Sequence, residues 1–211
     1  MNSQNKIKNQ TLSPSVLAII SLIIIYAVLF LWIDRPLAKL AQEIPADNIF
    51  YKISSHIARI FAPSHLFGLS IVIGLVGLFI VFGFKNKLKA KPYLLIGSAG
   101  IVAFLIAGIL KILLARYRPI EFLDHGLYGF HFLSTKYEFN STPSGHSTMI
   151  FAVLGSLAAV FKKHWLWIVL MLACLCVGLS RIIVDAHFLS DVVFGGYVGL
   201  LSVYWVRSFY A

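Results

Sequence analysis

The chain has 211 residues, 59% of them hydrophobic and 12% charged, with a formal net charge of +10 and a mean hydropathy of +0.87. Soluble domains carry about twice that share of charge, so the composition excludes an ordinary soluble domain and points to a polytopic membrane protein. The basic residues sit between apolar stretches, which assigns them to topology and anionic headgroups and excludes nucleic acid as a partner.

Residues 1–14 are polar and carry Lys6 and Lys8. Residues 15–33 are uncharged and approach the roughly 20 residues that a span needs. No small-residue cleavage site precedes Asp34 and Arg35, so this segment is expected to be an uncleaved first span. In the polar stretch 34–62, Ile49, Phe50, Ile53, Ile57, Ile60 and Phe61 recur at helical spacing opposite Lys52, Ser54, Ser55 and Arg59. That pattern predicts a short amphipathic helix, either lying in the membrane interface or capping the bundle. Further spans are expected at 63–84, 93–115, 144–161, 165–183 and 187–206. The expected fold is all-α: a single membrane-embedded domain over 1–211, a bundle of six transmembrane helices. Cys174 and Cys176 lie two apart inside an apolar run, where they serve as small hydrophobes rather than a disulfide framework.

Six spans put both termini on one side. That side collects Lys6, Lys8, the lysines at 85, 87, 89 and 91, then Lys162, Lys163 and Arg207, all in short segments. Every Asp and Glu falls on the other side. The positive-inside rule then predicts cytoplasmic termini and external long loops.

Three clusters gather on the external side. Lys111, Arg116 and Arg118-Pro119 leave span three; Pro143-Ser144-Gly145-His146 opens span four; Ser180-Arg181, His187 and Asp191 join spans five and six. Lys111 and Arg118 are two helical turns apart and would share a face. Ser144 is expected to cap a helix whose free N–H groups attract an anion, and Gly145 admits close approach. On a helix, Asp191 shares a face with His187. It would accept one ring N–H and leave the other nitrogen as a nucleophile. Arginines, a lysine, histidines and a helix start in one mouth describe a phosphate-binding pocket.

The three blocks, Lys111…Arg118-Pro119, Pro143-Ser144-Gly145-His146 and Ser180-Arg181…His187…Asp191, resemble the type-2 phosphatidic acid phosphatase family, integral-membrane lipid phosphatases that share their site with vanadium haloperoxidases. The resemblance covers spans three to six. It implies that His187 attacks phosphorus and forms a phosphohistidine, with Asp191 holding its tautomer. His146 would serve as the leaving-group acid and then the water base. Lys111, Arg118, Arg181, Ser144 and Gly145 would bind the phosphoryl oxygens, with no metal and no cofactor. The implied location is the bacterial inner membrane, with the active site on the outer face.

Arg116 is a possible further substrate contact, or a bystander. Asp185 reads as a solvated loop acid. The stretch 121–142, with His125, Tyr128, Phe130, His131, Phe132, Lys136, Tyr137 and Phe139, is either a headgroup-selecting lid or an aromatic interface belt. Gly195, Gly196 and Gly199 are expected to permit close helix packing. The expected partners are the bilayer and a lipid phosphate: an isoprenoid diphosphate, a phosphatidylglycerophosphate or phosphatidic acid, or lipid A. Alternative functions are a phosphotransferase passing the phosphoryl group to a lipid acceptor, and a non-catalytic transporter or scaffold. The oligomeric state is left open.

Overall fold

A computed structural model describes residues 14–210; Lys6 and Lys8, used in the topology expectation, lie outside the described residues. The first helix, α1 (Pro14–Val28), passes through a π-helical segment (Leu29–Ile33) directly into α2 (Asp34–Gln42). The sequence pattern closed this span at residue 33, but the helix continues. Pro36 accounts for the interruption: it has no N–H for the carbonyl one turn earlier, and its ring crowds that carbonyl. A locally widened turn accommodates both.

The predicted amphipathic helix forms as α3 (Ile49–Ile60), capped by the Asn48 side chain accepting from the Phe50 N–H at 2.8 Å. Ser54 and Ala58 are buried, while Ile49, Phe50, Ile53 and Ile60 are exposed. Small residues therefore face the bundle, where α3 packs on α8, and the large apolar ones point outward. A helix with this arrangement caps the bundle with one face and offers the other to lipid.

The remaining helices are α4 (Pro63–Gly83), α5 (Lys87–Leu114), the short α6 (Pro119–His125), α7 (Gly145–Phe161), α8 (His164–Ile183) and α9 (Leu189–Ser208). Among the described residues, five helical stretches are long and apolar enough to cross a membrane, at 19–42, 49–83, 87–114, 164–183 and 189–208. The expected fourth span is a shorter apolar helix, α7, of 17 residues. At 1.5 Å per residue it is about 25 Å long, short of the roughly 30 Å hydrocarbon core.

Helix α7 is the centre of the bundle, packed between α4, α5, α8 and α9. Its Met149, Ile150 and Val153 form a core with Leu66, Cys174 and Val177. The glycines of α9 allow its closest contact: a Cβ on Gly195 would sit 2.5 Å from the Ser144 carbonyl, and one on Gly199 2.5 Å from that of Thr148. Small residues that let two backbones approach are the usual basis of helix association in membranes. This packing brings the start of α7 beside the start of α9, with the end of α5 and the end of α8 alongside.

Candidate functional site

The clusters anticipated from sequence converge at one end of the bundle. Ser144 caps α7, its Oγ accepting from Ser147, and its own N–H donates to the Asp191 carbonyl at 2.9 Å. That bond joins the starts of α7 and α9. Gly145 follows with Pro63 and Lys111 as its near neighbours, 3.3 and 3.7 Å from where a Cβ would stand.

Lys111 and Arg118 do converge, but not as neighbours on one helix. Helix α5 ends at Leu114, and Ala115 turns left-handed at φ 42°. The carbonyls left over at the end of α5 accept N–H groups from the following loop. Phe132, Leu133 and Ser134 donate to Leu114, Leu113 and Ile112, and His131 donates to Ala115. Arg118 therefore arrives on extended backbone. Its Nε donates to the Tyr137 carbonyl at 2.9 Å and its two terminal nitrogens to the carbonyls of Ala186 (3.1 Å) and Asn140 (3.3 Å). Lys111 Nζ donates to the same Asn140 carbonyl at 2.8 Å. The Tyr137 ring lies 3.9 Å from the Arg118 guanidinium, a cation–π contact. Part of the stretch read as lid or belt thus caps α5, and part lies on the cationic residues.

His187 is 4% exposed. Burial pushes its pKa well below the usual histidine value, and the charges of Arg118, Lys111, Arg181 and His146 push it further the same way. The imidazole is held neutral with its lone pair available. His146 donates from Nε2 to the Ala58 carbonyl at 3.0 Å. A carbonyl only accepts, so that contact places the proton on Nε2 and leaves Nδ1 with the lone pair. The buried Nε of Arg181 has no partner among the described residues, and its carbonyl receives the Ala186 and His187 N–H groups at 3.1 and 3.2 Å. Burial also pulls the Arg118 pKa down, against the opposing pull of Tyr137, Asp191 and Glu138.

Two expectations are corrected. Asp191 does not orient the His187 ring. Helix α9 begins at Leu189, so the two residues do not share a helix face. The Asp191 carboxylate accepts from the Phe188 N–H (2.9 Å), Ser141 Oγ (2.6 Å), Thr142 Oγ1 and Arg116 (2.6 Å). Its lone pairs are taken, and among the described residues the buried His187 Nδ1 has no hydrogen-bond partner. Asp191 instead fixes the backbone next to His187, through Phe188.

Arg116 is not placed to touch substrate. It is fully buried and bridges Asp34 (2.8 Å) and Asp191 (2.6 Å). It also donates to Ser190 Oγ (2.6 Å), Tyr128 (3.0 Å) and Tyr26 (3.1 Å), inside a cage of rings that includes Phe188 and Phe30 at 4.4 and 4.8 Å. Burial opposes its charge, but Asp191, Tyr26 and Asp34 more than offset that, and its pKa rises. Asp185, read as a solvated acid, is half-buried, with one oxygen enclosed and unpartnered; burial pushes its carboxyl up to about 6.

Sequence reasoning passed over Asp34, which accepts from Arg116, the Ser190 N–H (3.0 Å) and Ser190 Oγ. The signal was there: a lone carboxylate at the end of an apolar run is costly unless it is paired inside the bundle. Ser141, Thr142 and the Ala58 and Asn140 carbonyls were missed because no local pattern marks a group that works through its position in space.

Known proteins resemble this chain in sequence and in fold. The Lipid A 1-phosphatase of Rhizobium etli is 38% identical over 103 residues, 46% of this chain and 43% of that protein. The bacitracin transport permease protein BcrC of Bacillus licheniformis is 33% identical over 138 residues, 64% of this chain and 63% of that protein. The undecaprenyl-diphosphatase of Sulfolobus acidocaldarius is 30% identical over 116 residues, 51% and 54% of the two chains. In each case the chain spans less than two thirds of the relative's length. A transmembrane PAP2-type phosphatidylglycerolphosphate phosphatase from Bacillus subtilis, known from its crystal structure, superposes with a TM-score of 0.59 over 92% of this chain and 94% of that one. At 23% identity this shows a shared fold. A family model for the PAP2 superfamily matches residues 92–211, more than half the chain and all of the stretch from Lys111 to Asp191, and the chain belongs to that superfamily.

Proposed function

We propose that the chain is a membrane lipid phosphatase that hydrolyses a phosphate monoester or diphosphate through a phosphohistidine on His187. The observation that carries this reading is the charge balance around that residue. Lys111, Arg118, Arg181 and His146 all act electrostatically on a buried neutral imidazole, and no carboxylate pairs with any of them among the described residues. Such a pocket is short of negative charge, and a phosphoryl group supplies it.

In the proposed reaction His187 attacks the terminal phosphorus in line, forming an N–P bond as the bond from that phosphorus to the leaving oxygen breaks. The leaving oxygen is the lipid oxygen of a monoester or the bridging oxygen of a diphosphate. His146, in its protonated form, gives a proton from Nδ1 to the departing oxygen. It then takes a proton from the water that cleaves the N–P bond and releases phosphate. Lys111, Arg118 and Arg181 neutralise the non-bridging oxygens, with the Gly145 N–H beside them. The Tyr137 and Asn140 carbonyls that hold Arg118 and Lys111 give way to phosphate oxygens. Side-chain cations supply the charge that a metal ion supplies elsewhere, so chelators are expected to leave turnover unchanged.

Relatives named for lipid A and undecaprenyl substrates make lipid phosphates of the cell envelope the class to test. The test is phosphate release by purified protein from isoprenoid diphosphate, glycerophospholipid phosphate and lipid A, with His187→Ala as the control. Release from at least one of them that vanishes in the variant is expected; none from any of them sinks the proposal. A strict requirement for added Mg²⁺ sinks the metal-free chemistry. The site is assigned to the outer face, so a cysteine introduced at 133 is expected to react with impermeant reagents in intact cells. Labelling only after disruption reverses the orientation.

A further inference from the structure

The opposite end of the bundle carries a different kind of charge. Lys85, Lys87, Lys89, Lys91, Lys162, Lys163 and Arg207 gather there, with no Asp or Glu side chain near them in the sequence. Among the described residues none of these cations has an ion pair, since both salt bridges belong to Arg116. Three of the lysines lie in the first turns of α5, where the helix dipole disfavours cations. Their positions are thus not explained by the helix that carries them.

Two cavities open at this end. One, of about 430 Å³, lies between the end of α4 and the start of α5, with Leu78, Val81, Phe82 and Leu94 on its apolar walls and Lys87 at its rim. The other, of about 420 Å³, lies between α5, the end of α7 and the end of α9, with Leu88, Pro92, Leu95 and Val160 on its walls and Lys162 and Arg207 at its rim. Lys91 and Tyr210 line both. Tyr210 is fixed between them by packing with Ala99, Val203 and Val206 and by the Ser98 hydroxyl at 3.5 Å. The two slots, each with apolar walls and a basic rim, therefore flank one tyrosine and share one lysine.

We infer that this end binds an anionic diacyl phospholipid of the adjacent leaflet. One acyl chain lies in each slot, and the headgroup phosphate sits at Lys91 between Lys87, Lys162 and Arg207. The chemistry selects the class. Paired apolar slots fit a two-chain lipid, and four unpaired cations without a carboxylate favour a net negative headgroup over a zwitterionic one. A topological bias alone requires basic residues at this end, but it does not require them around a pair of slots. The inference is independent of the phosphatase reading, because the two sites lie at opposite ends.

The test uses the purified full chain in mixed micelles, titrated with phosphatidylglycerol or phosphatidylcholine, with retained lipid counted by native mass spectrometry. Phosphatidylglycerol is expected to be retained in preference to phosphatidylcholine. Lys91→Gln with Arg207→Gln is expected to weaken its retention about 30-fold, and Lys87→Gln with Lys162→Gln to weaken it to a similar degree. Lys163→Gln, which lines neither slot, and Arg118→Gln, at the other end, are expected to retain it as wild type does. Should one double variant fail to fold, the other decides. Equal retention of the two lipids, or wild-type retention by a folded double variant, overturns the inference. Phosphate release measured on the same samples keeps this outcome separate from that of the proposed activity.

Discussion

Arg116 and Arg118 are two residues apart and both nearly inaccessible, yet they occupy opposite electrostatic worlds. Arg116 lies between two carboxylates, three hydroxyls and a cage of aromatic rings. Among the described residues Arg118 meets carbonyl oxygens and one tyrosine face. The first guanidinium is neutralised and becomes part of the architecture. The second keeps its charge beside Lys111, Arg181 and two histidines. A bundle that buries like charges together without a counter-ion loses stability by doing so, and such losses are tolerated where a ligand restores the balance. The contrast separates residues that are neutralised within the rim from those proposed to bind an anion.

The largest expected effect comes from removing the atom proposed to bond phosphorus. His187→Ala should reduce phosphate release by at least about 10³-fold, while the thermal unfolding midpoint stays within a few degrees of wild type. Among the described residues the imidazole makes no hydrogen bond at Nδ1 and it is held neutral, so its loss breaks no ion pair and opens only a small void. A variant that retains a tenth of the activity would move the nucleophile elsewhere.

Next in size is the framework arginine. Arg116→Gln leaves the Asp34 and Asp191 carboxylates buried without their counter-charge, and breaking such a pair costs about 3–5 kcal/mol. It should appear as a large drop in unfolding midpoint, with activity lost in proportion to folded protein. The double change Arg116→Met with Asp34→Leu removes one charge of each sign and is expected to recover part of the stability. Arg118→Gln should behave in the opposite sense. It is expected to lower kcat/KM about 10²-fold, the loss typical of one transition-state donor, with stability unchanged or raised. If both arginine variants lose stability equally, the division between framework and cradle is wrong.

These pairs also show what the sequence could and could not reveal. The spans, the capping role of Ser144, the close glycine contacts of α9 and the amphipathic α3 followed from local periodicity and composition, which act over one or two helical turns. The convergence of Lys111, Arg118, Arg181, His146 and His187 followed from motif spacing combined with topology. The roles of Asp191 and Arg116 did not, because they depend on where helices start and stop. Had α9 begun two residues earlier, Asp191 would have faced the ring of His187. Starting at Leu189, it turns back onto Phe188 and toward Arg116. Likewise Ala115 adopts a left-handed conformation that no pattern in an alanine announces, and the two-turn spacing of Lys111 and Arg118 lost its helical meaning there. Asp34 belongs to a helix that continues through a π-segment, where the apolar run had seemed to end.

The smallest effect tests the state of His187 itself. Its pKa in the folded protein is lowered by burial and by neighbouring cations, whereas in the unfolded chain it titrates near about 6.5. The unfolded state therefore binds more protons at mildly acid pH. The stabilising contribution of the neutral imidazole is fully present above about pH 6.5 and declines as pH falls toward the lower folded-state value. Between about pH 7.5 and 6 the loss from this one residue should approach roughly 0.8 kcal/mol. Asp185, whose carboxyl is raised to about 6 by burial, acts in the opposite direction. Its folded form binds the extra proton, so it favours the folded state as pH falls through that value and masks part of the histidine effect at lower pH. At about pH 6 that carboxyl is already half-protonated in the folded protein and offsets about 0.4 kcal/mol, so the imidazole is isolated by comparison with His187→Gln, which keeps Asp185. Between about pH 7.5 and 6 the wild-type unfolding midpoint should fall as pH falls, whereas that of His187→Gln should hold or rise. Equal slopes would mean that the folded imidazole binds protons as it does in the unfolded chain, so that burial does not hold the ring neutral with a lone pair for phosphorus.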